Sequence, residues 1–215
     1  MSSLNLALWS TLFSLLLGYP MAYAISLASK GRQLILLLLI MVPFWTSFLI
    51  RVYAWMGILS PTGVINNLLL SLHLIKEPLS LLHTPTAVLI GMVYCYLPFM
   101  VLPLYAALEK FDRTLLEAAQ DLGAHPIKAF FKVTLPLTQS GILIGCLLVF
   151  IPAVGEFVIP ALLGGNDTVM MGKVLWDEFF YNRDWTMASM LAIVLLVVLM
   201  VPVYLIQRLG REEQR

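Results

Sequence analysis

The sequence predicts an all-α membrane protein, a polytopic bundle of about five transmembrane helices that forms a single domain over residues 1–215. Of its 215 residues, 60% are hydrophobic and only 12% are charged, and the mean hydropathy is +0.92. Soluble globular domains contain about 25% charged residues. The apolar residues also form runs long enough to cross a hydrocarbon core of about 30 Å at 1.5 Å per residue. Composition and run length together place this chain in a lipid bilayer.

The predicted spans cover residues 4–28, 33–58, 86–108, 138–163 and 187–209. The first run lacks a basic amino-terminal region and is too long for a signal peptide, so we interpret it as a true span. Prolines recur in all five spans. Each one frees a backbone carbonyl and tends to kink its helix, which a membrane bundle tolerates where neighbouring helices or a wet cavity satisfy the backbone. This pattern favours a bundle that rocks around a central pathway.

The basic residues predict the orientation, because cytoplasmic loops carry an excess of Lys and Arg. Nine lie in the segments on one side of the predicted membrane: Lys30, Arg32, Lys110, Arg113, Lys128, Lys132, Arg208, Arg211 and Arg215. Four lie on or near the other side: Arg51, Lys76, Lys173 and Arg183. We therefore expect the loop at 109–137 and the C-terminus in the cytoplasm, and the N-terminus outside.

The longest polar interruption is the loop at 109–137, within which Glu117 to Pro136 reads EAAQDLGAHPIKAFFKVTLP. Its residues predict two short helices around a break. Gly123 suits a left-handed helix cap, and Pro126 suits the first turn of a new helix. Ile127, Phe130, Phe131 and Val133 are expected to form an apolar edge on the second helix, opposite Lys128 and Lys132. Physical chemistry alone leaves two readings open, docking into a partner's groove and lying on the lipid headgroups.

The same residues resemble the EAA loop of binding-protein-dependent ABC importer permeases. The match consists of Glu117, Ala118 and Ala119, then Gly123, then Val133 to Pro136, with Val133 standing where the family pattern usually has Ile. We call residues 109–137 the EAA-like loop. The resemblance implies the type I importer fold and a coupling helix that docks on a cytoplasmic ATPase. The residues it assigns to ATPase coupling are Glu117, Ala118, Ala119, Gly123, Pro126, Leu135 and Pro136.

The resemblance also implies the partners: ABC ATPase subunits, a second permease subunit that is identical or paralogous, a periplasmic binding protein and the lipid bilayer of a bacterial inner membrane. The chain has no GxxxxGK[ST] phosphate loop, so ATP hydrolysis is expected in the partner and not here. Polyamine-type members of the family usually have six spans with both termini inside. We expect either that the chain start is truncated or misassigned, or that the five-span core works alone.

Two ionisable residues, Arg51 and Glu156, lie inside the predicted spans at similar height, about 27 Å from the inner ends at 1.5 Å per residue. Charges in hydrocarbon are costly and indicate function or a partner. One interpretation is a structural ion pair, or an Arg51 that snorkels to the headgroups. The other is that Glu156 faces the translocation path and offers its carboxylate to a cationic substrate. Gly155, Pro152 and Pro160 predict an irregular helix around it.

Several segments are similar to the spermidine/putrescine subgroup of these permeases, which implies polyamine import. They are Gly155 to Pro160, Leu162 to Gly165, Pro43 to Ser47, Arg51 with Tyr53 to Trp55, and Asp184-Trp185. An acidic and aromatic lining would suit a polycation through charge pairing and cation–π contact. The candidate pathway residues are Glu156, Arg51, Tyr53, Trp55, Asp177, Glu178 and Trp185.

Other functions stay open at this stage. Permeases for iron(III) or an oxyanion are related to this subgroup, and a receptor or assembly scaffold would need none of these charges. An intramembrane enzyme would need paired acids, a Ser/His pair or metal ligands at depth. The spans offer only Glu156 and Arg51, so no catalytic or metal-binding residues are predicted. Cys95 and Cys146 lie in apolar runs and suit helix packing. No cofactor and no nucleic-acid partner is expected.

Overall fold

The computed structural model describes residues 2–165 and 168–212, with side chains for residues 3–165 and 168–204. The described chain consists of α-helices joined by turns and short irregular segments, with three short stretches of other helix types. The α-helices are α1 (Ser2–Leu27), α2 (Lys30–Met41), α3 (Phe48–Leu59), α4 (Val64–Ser71), α5 (Pro85–Lys110), α6 (Thr114–Asp121), α7 (Pro126–Ala129), α8 (Leu135–Leu137), α9 (Gln139–Val154), α10 (Val158–Leu163), α11 (Met171–Trp176) and α12 (Trp185–Glu212). A 3₁₀ turn spans Val42–Trp45, and π-helical turns span Phe130–Thr134 and Asp177–Tyr181.

Within the described residues, four helical stretches have the length and composition of a membrane span: Ser3–Leu27, Phe48–Ser71, Pro85–Lys110 and Trp185–Tyr204. A fifth results if the bent pair Pro126–Leu137 and Gln139–Val154 is taken as one span. The all-α bundle of four to five spans confirms the predicted fold class. Residues 1, 166–167 and 213–215 of the predicted domain lie outside the described residues.

One predicted span, residues 33–58, is wrong as a continuous helix. Pro43 is the second residue of the 3₁₀ turn, and the backbone is extended at Thr46 before α3 begins at Phe48. Proline lacks the N–H that a continuing helix would need. The two helices on either side, α2 and α3, have 12 residues each, about 18 Å at 1.5 Å per residue, which is too short to cross a membrane alone. The candidate span here is instead Phe48–Ser71, which joins α3 to α4.

The predicted span 138–163 is also divided, at Gly155–Phe157, into α9 of 16 residues and α10 of 6 residues. This interruption agrees with the irregular helix expected around Glu156. We call residues 155–157 the helix break.

The core of the bundle lies where α1, α5 and α9 pack together, and small residues set the spacing of these helices. A Cβ on Gly145 of α9 would lie 2.7 Å from Met100 Sδ of α5, and one on Gly18 of α1 would lie 2.9 Å from Met100 Cγ. Met100, Val101 and Leu104 are fully buried between them. Close approach through small residues is a common basis of helix association in membranes, where burial of apolar surface drives little. By contrast, α12 keeps most of its apolar surface turned away from the chain.

The two ends of the bundle carry different structures. At one end α1 and α5 both finish, and the EAA-like loop follows. At the opposite end the start of α1 meets the start of α11, where the Met171 N–H donates to Ser3 Oγ at 2.6 Å. His83 Nδ1 lies 3.3 Å from the Gly164 carbonyl oxygen at that same end. The helix break is thus separated from the EAA-like loop by the length of α9.

Asn66 fixes the turn-rich segment between α3 and α5, because its buried amide bridges both sides of that segment. Its Nδ2 donates to the carbonyls of Ser60 at 3.1 Å and Leu79 at 3.0 Å, and its Oδ1 accepts from the Leu79 N–H at 2.8 Å. This arrangement uses both donors of the amide as well as its oxygen.

Replacing Asn66 with Asp is expected to loosen this segment, because a carboxylate cannot donate to the two carbonyls and would lie against them. An unsatisfied buried group costs about 1–3 kcal/mol, and more when it is charged. Faster limited proteolysis within residues 72–82 should reveal the change. Asn67→Asp is the matched control, since Asn67 is exposed and its Nδ2 donates to Thr62 alone. Equal cleavage rates for the two variants would contradict this role of Asn66.

Candidate functional site

The EAA-like loop begins with a side-chain cap. Asp112 Oδ1 accepts the Thr114 backbone N–H at 3.0 Å and the Thr114 hydroxyl at 2.8 Å. These hydrogen bonds satisfy a backbone donor that the first turn of α6 leaves free. They also hold the pKa of the Asp112 carboxyl below its usual value, with the backbone bond as the larger cause. The loop therefore turns sharply into α6 directly after α5 ends.

Gly123 makes the turn between the two helices of the loop. Its φ of 84° lies in the left-handed region, which costs a residue with a Cβ about 1–2 kcal/mol. The Gly123 N–H donates to the Gln120 carbonyl at 2.8 Å, and the Ala124 N–H donates to the Ala119 carbonyl at 3.0 Å. This pair of bonds is the Schellman motif, which satisfies the last carbonyls of a helix. The predicted left-handed cap is confirmed.

The second helix of the loop starts at Pro126, as predicted, and runs further than α7 itself. His125 Nδ1 accepts the Ile127 N–H at 3.4 Å, and Pro126 occupies the first helical position, where its missing N–H has no partner to lose. The helix continues through the π-helical turn Phe130–Thr134 into α8 and ends at Leu137. It then bends by 66° into α9.

The expected single apolar edge on this helix is wrong, because its residues divide between two faces. Phe130 points into the bundle and packs edge-on against Tyr19 and Tyr23, with ring centroids 5.6 Å apart in both pairs. Ile127 and Phe131 point outward and are 64% and 59% exposed. The widened π turn changes the helical spacing from Phe130 onwards. Together with Leu122, which is 89% exposed, Ile127 and Phe131 form an outward apolar surface.

The remaining residues assigned to coupling lie along the same loop. Glu117 and Ala118 are exposed on α6, and Ala119 is half-buried, with its carbonyl in the Gly123 turn. Glu117 also lines a cavity of about 240 Å³ together with Tyr23 and Arg113. Leu135 packs against the core, whereas Pro136 is exposed. The structure thus brings the predicted coupling residues onto one compact loop.

Three residues that the motif does not include attach this loop to the bundle. Tyr19 OH and Thr138 Oγ1 lie 2.8 Å apart, and the Thr138 hydroxyl also donates to the Thr134 carbonyl at 2.8 Å. Arg113 donates to the Ser26 carbonyl in the last turn of α1, where a cation is favoured by the helix dipole. In the sequence, Arg113 indicated only the orientation of the chain through its positive charge. No local pattern predicted the contacts of Tyr19 or Thr138.

The carboxylate of Glu156 lies in the helix break and is only 8% exposed. Its Oε1 accepts the backbone N–H groups of Phe157 at 3.1 Å, Val158 at 2.9 Å and Ile159 at 3.3 Å. Its Oε2 accepts the hydroxyl of Tyr96 from α5. Glu156 therefore caps α10 from within the helix break, where an irregular helix was predicted. Its carboxylate accepts hydrogen bonds from four donors.

Arg51 does not pair with Glu156: among the described residues, the recorded ion pair is Lys30 with Glu109 at 2.8 Å. The Arg51 guanidinium instead lies over the ring of Phe44 at 4.7 Å and near that of Phe48 at 5.6 Å. Its buried Nε and Nη1 have no hydrogen-bond partner within the described part of the chain. Cation–π contact offsets part of this cost.

The other candidate pathway residues do not converge on one point. Tyr53 is exposed on α3, and Trp55 packs edge-on against Tyr94 with centroids 5.3 Å apart. Asp177 and Glu178 lie half-buried in the second π-helical turn, where Glu178 Oε2 accepts from Asn182 at 2.9 Å. Trp185 is exposed at the start of α12.

An aromatic stack connects the helix break to α11 and the second π-helical turn. Phe157 stacks on Trp176 with ring centroids 4.3 Å apart, and Trp176 lies 4.2 Å from Phe180. Gly172 at the start of α11 also lies against the backbone carbonyls of Gly155 and Glu156. The segment that carries Asp177 and Glu178 is therefore packed directly on the helix break.

A family model and the similar proteins of known name agree on one family of membrane transport proteins. A family model described as "Binding-protein-dependent transport system inner membrane component" matches residues 14–210. The chain is 42% identical over 210 residues to the spermidine/putrescine transport system permease protein PotB of Haemophilus influenzae, covering 98% of this chain and 73% of that protein. It is 48% identical over 198 residues to PotB of Escherichia coli K12, covering 92% and 72%. The inner membrane ABC transporter permease protein YdcU of Escherichia coli K12 is 30% identical over 222 residues, covering 97% and 70%.

Two solved structures share the fold. One is the crystal structure of a bacterial ABC transporter involved in import of the acidic polysaccharide alginate, with a TM-score of 0.70 and 20% identity. The other is a bacterial alginate ABC transporter in complex with an alginate pentasaccharide-bound periplasmic protein, with a TM-score of 0.72 and 21% identity. In both cases the match covers 100% of this chain and 79% of the other.

Proposed function

This chain belongs to the family of inner membrane components of binding-protein-dependent transport systems, and from that premise we propose that it passes a polyamine, spermidine or putrescine, into the bacterial cytoplasm. The chain is a multi-pass permease subunit of an ABC importer. The observation that carries the solute is the identity of 42–48% over nearly the whole chain to permeases named for spermidine and putrescine. Iron(III) or an oxyanion is the alternative solute.

The EAA-like loop is the proposed contact with a cytoplasmic ATPase subunit, which supplies the ATP hydrolysis. Two features support this role. The loop has a fixed shape, set by the Asp112 cap, the Gly123 turn and the contacts of Phe130. It also exposes three apolar side chains, those of Leu122, Ile127 and Phe131, and exposed apolar groups on a short helix suit a partner's groove. A scaffold without transport would not need this loop fixed against α1.

Two further partners complete the proposed importer. A second permease subunit, a copy or a paralogue, would cover apolar surface that this chain leaves exposed, such as that of α12. A periplasmic binding protein would deliver the solute at the end of the bundle that carries the helix break. The family description, which names a binding-protein-dependent system, supports this second partner.

The proposed orientation places the EAA-like loop and the C-terminus in the cytoplasm and the N-terminus outside. The excess of Lys and Arg on the loop side supports it. Lys30 and Glu109 form an exposed ion pair at this end of the bundle, where α2 begins and α5 ends. The helix break then lies toward the periplasm.

The proposed solute path runs past the helix break. Glu156 would provide the negative charge. Aromatic surface would come from Tyr53, Trp55 and Trp185, and an acidic entrance from Asp177 and Glu178. Arg51 would stay against the rings of Phe44 and Phe48. Closure of the ATPase pair would push on the EAA-like loop. Because that loop bends directly into α9, its movement would be carried along α9 to the break, where two short helices can separate more easily than one continuous helix can bend.

ATPase activity of the reconstituted complex with its binding protein, measured against a panel of solutes, tests this function. Stimulation by spermidine or putrescine alone is expected. Stimulation by iron(III) or an oxyanion would keep the permease and overturn the solute. ATPase activity that no solute alters, in a complex that retains the permease and the ATPase subunits, would favour a non-transporting scaffold.

A further inference from the structure

The two oxygens of the Glu156 carboxylate have different kinds of partner. Oε1 accepts three backbone N–H groups, from Phe157, Val158 and Ile159. Val158 and Ile159 lie in the first turn of α10 and Phe157 directly precedes it, so these N–H groups have no acceptor within the helix and are satisfied by this oxygen. Oε2 accepts a single side-chain hydroxyl, that of Tyr96. A hydroxyl on one rotatable bond can change partner without any backbone movement.

Tyr96 reaches Glu156 from a rigid position on α5. Its side chain is buried, and its ring lies 6.4 Å from that of Phe99. Phe99 in turn packs edge-on against Phe44, which carries the Arg51 guanidinium on its face. The rings of Tyr96, Phe99 and Phe44 thus form a series of contacts between the site of Glu156 and that of Arg51. Arg51 makes no ion pair with Glu156 among the described residues, and the Tyr96 hydroxyl is the neutral donor to Oε2.

We propose that Tyr96 is a specificity-determining residue for transport, because its hydroxyl holds the one oxygen of Glu156 that a substrate ammonium can take. This inference rests on the proposed polyamine function. An ammonium forms a charge-assisted bond to a carboxylate, stronger than the bond from a neutral phenol. A solute amine therefore displaces the hydroxyl, and the returning hydroxyl helps to release it. A neutral hydroxyl solute gains no charge assistance over the phenol, and an anionic solute is repelled by the carboxylate.

Tyr96→Phe separates this role from a structural one, because it removes the hydroxyl and keeps the ring. The probe is radiolabelled spermidine, bound at equilibrium to the purified complex without binding protein. We expect Tyr96→Phe to bind spermidine three- to ten-fold more tightly, the size of one net hydrogen bond. The maximal uptake rate, measured in proteoliposomes with saturating loaded binding protein, should fall or stay level. A purely structural role predicts weaker binding and slower uptake together.

Two further variants make the result specific. Glu156→Gln should weaken spermidine binding, and the double variant Tyr96→Phe/Glu156→Gln should match it, since Tyr96 acts through Glu156. In Tyr96→Phe the buried Glu156 carboxylate loses one hydrogen-bond donor, which could destabilise the fold. The double variant removes that negative charge, so it remains informative if the single variant does not fold. Tyr94→Phe is the control, because Tyr94 lies on the same helix and packs its ring on Trp55; it should bind as the wild type does.

Unchanged or weaker binding by a folded Tyr96→Phe complex would overturn the role of Tyr96, while wild-type binding of spermidine would keep the proposed function. Binding of spermidine by Glu156→Gln as tightly as by the wild type would also overturn the role of Tyr96. A wild-type complex that binds another solute and no spermidine would overturn both.

Discussion

Replacing Gly141 with leucine is expected to prevent α9 from packing on α5 and to remove most of the folded protein. A Cβ at this position would lie 2.6 Å from Ala107 Cβ, 2.8 Å from the Pro103 carbonyl oxygen and 3.4 Å from Leu104 Cα. Two of these atoms belong to the backbone and cannot rotate away. Extra methylenes in a packed core cost about 1–3 kcal/mol, and more where the backbone must move. The helices would have to separate along their whole contact.

Gly57→Leu is the matched control for this variant. Gly57 also lies in a helix, but no described atom comes within 4 Å of a Cβ placed there. Thermal melting of the purified chain, followed by size-exclusion chromatography, measures both. We expect little monodisperse Gly141→Leu protein at any temperature and a near wild-type melting curve for Gly57→Leu. Similar curves for the two would show that the α5–α9 contact tolerates a side chain.

Replacing Gly123 with proline is expected to abolish capture of the ATPase and, with it, transport, while the bundle stays folded. Proline fixes φ near −65°, far from the 84° observed, and removes the N–H that donates to Gln120. The turn must then open, and the outward apolar surface of Leu122, Ile127 and Phe131 loses its arrangement. Gly123 has no described neighbour within 4 Å of its Cβ position, so the effect on the core should be small.

A pull-down of the ATPase with wild-type and variant chains measures this effect. Gly123→Asn provides the control, since asparagine adopts the left-handed conformation at lower cost than other residues and keeps its N–H. The asparagine variant should retain most of the captured ATPase. Equal capture by the proline variant would count against docking through the EAA-like loop.

The sequence predicted best those features that neighbouring residues determine. The two-helix form of the EAA-like loop depends on Gly123 and Pro126, whose backbone preferences act within a few positions. The irregular helix around Glu156 followed from Gly155 and two prolines for the same reason. The all-α bundle followed from the length of the apolar runs.

The features that distant residues determine were missed or wrong. The hydroxyl that binds Glu156 comes from Tyr96, 60 positions earlier, and Tyr19 meets Thr138 across 119 positions. The hydrophobic periodicity of a single segment cannot predict a hydrogen bond between residues so far apart in sequence. The inward turn of Phe130 depends on the π-helical turn and on the rings of Tyr19 and Tyr23, and helical spacing alone placed it on the outer edge. The break after Pro43 was misread as a kink, because a membrane helix often tolerates proline.

The Gly123 turn has a consequence for how such transporters diversify. The loop takes its shape from its own backbone hydrogen bonds, from Asp112 and His125, and from its contacts with α1 through Phe130 and Arg113. At the opposite end of α9, Tyr96 and Glu156 lie at the helix break. No described side-chain hydrogen bond is shared between the two sets. If the proposed roles hold, mutations at the helix break that alter which solute is accepted can accumulate without changing the loop surface proposed to dock on the ATPase. One motor subunit could in this way serve several permeases, and new transport specificities could arise without a new motor.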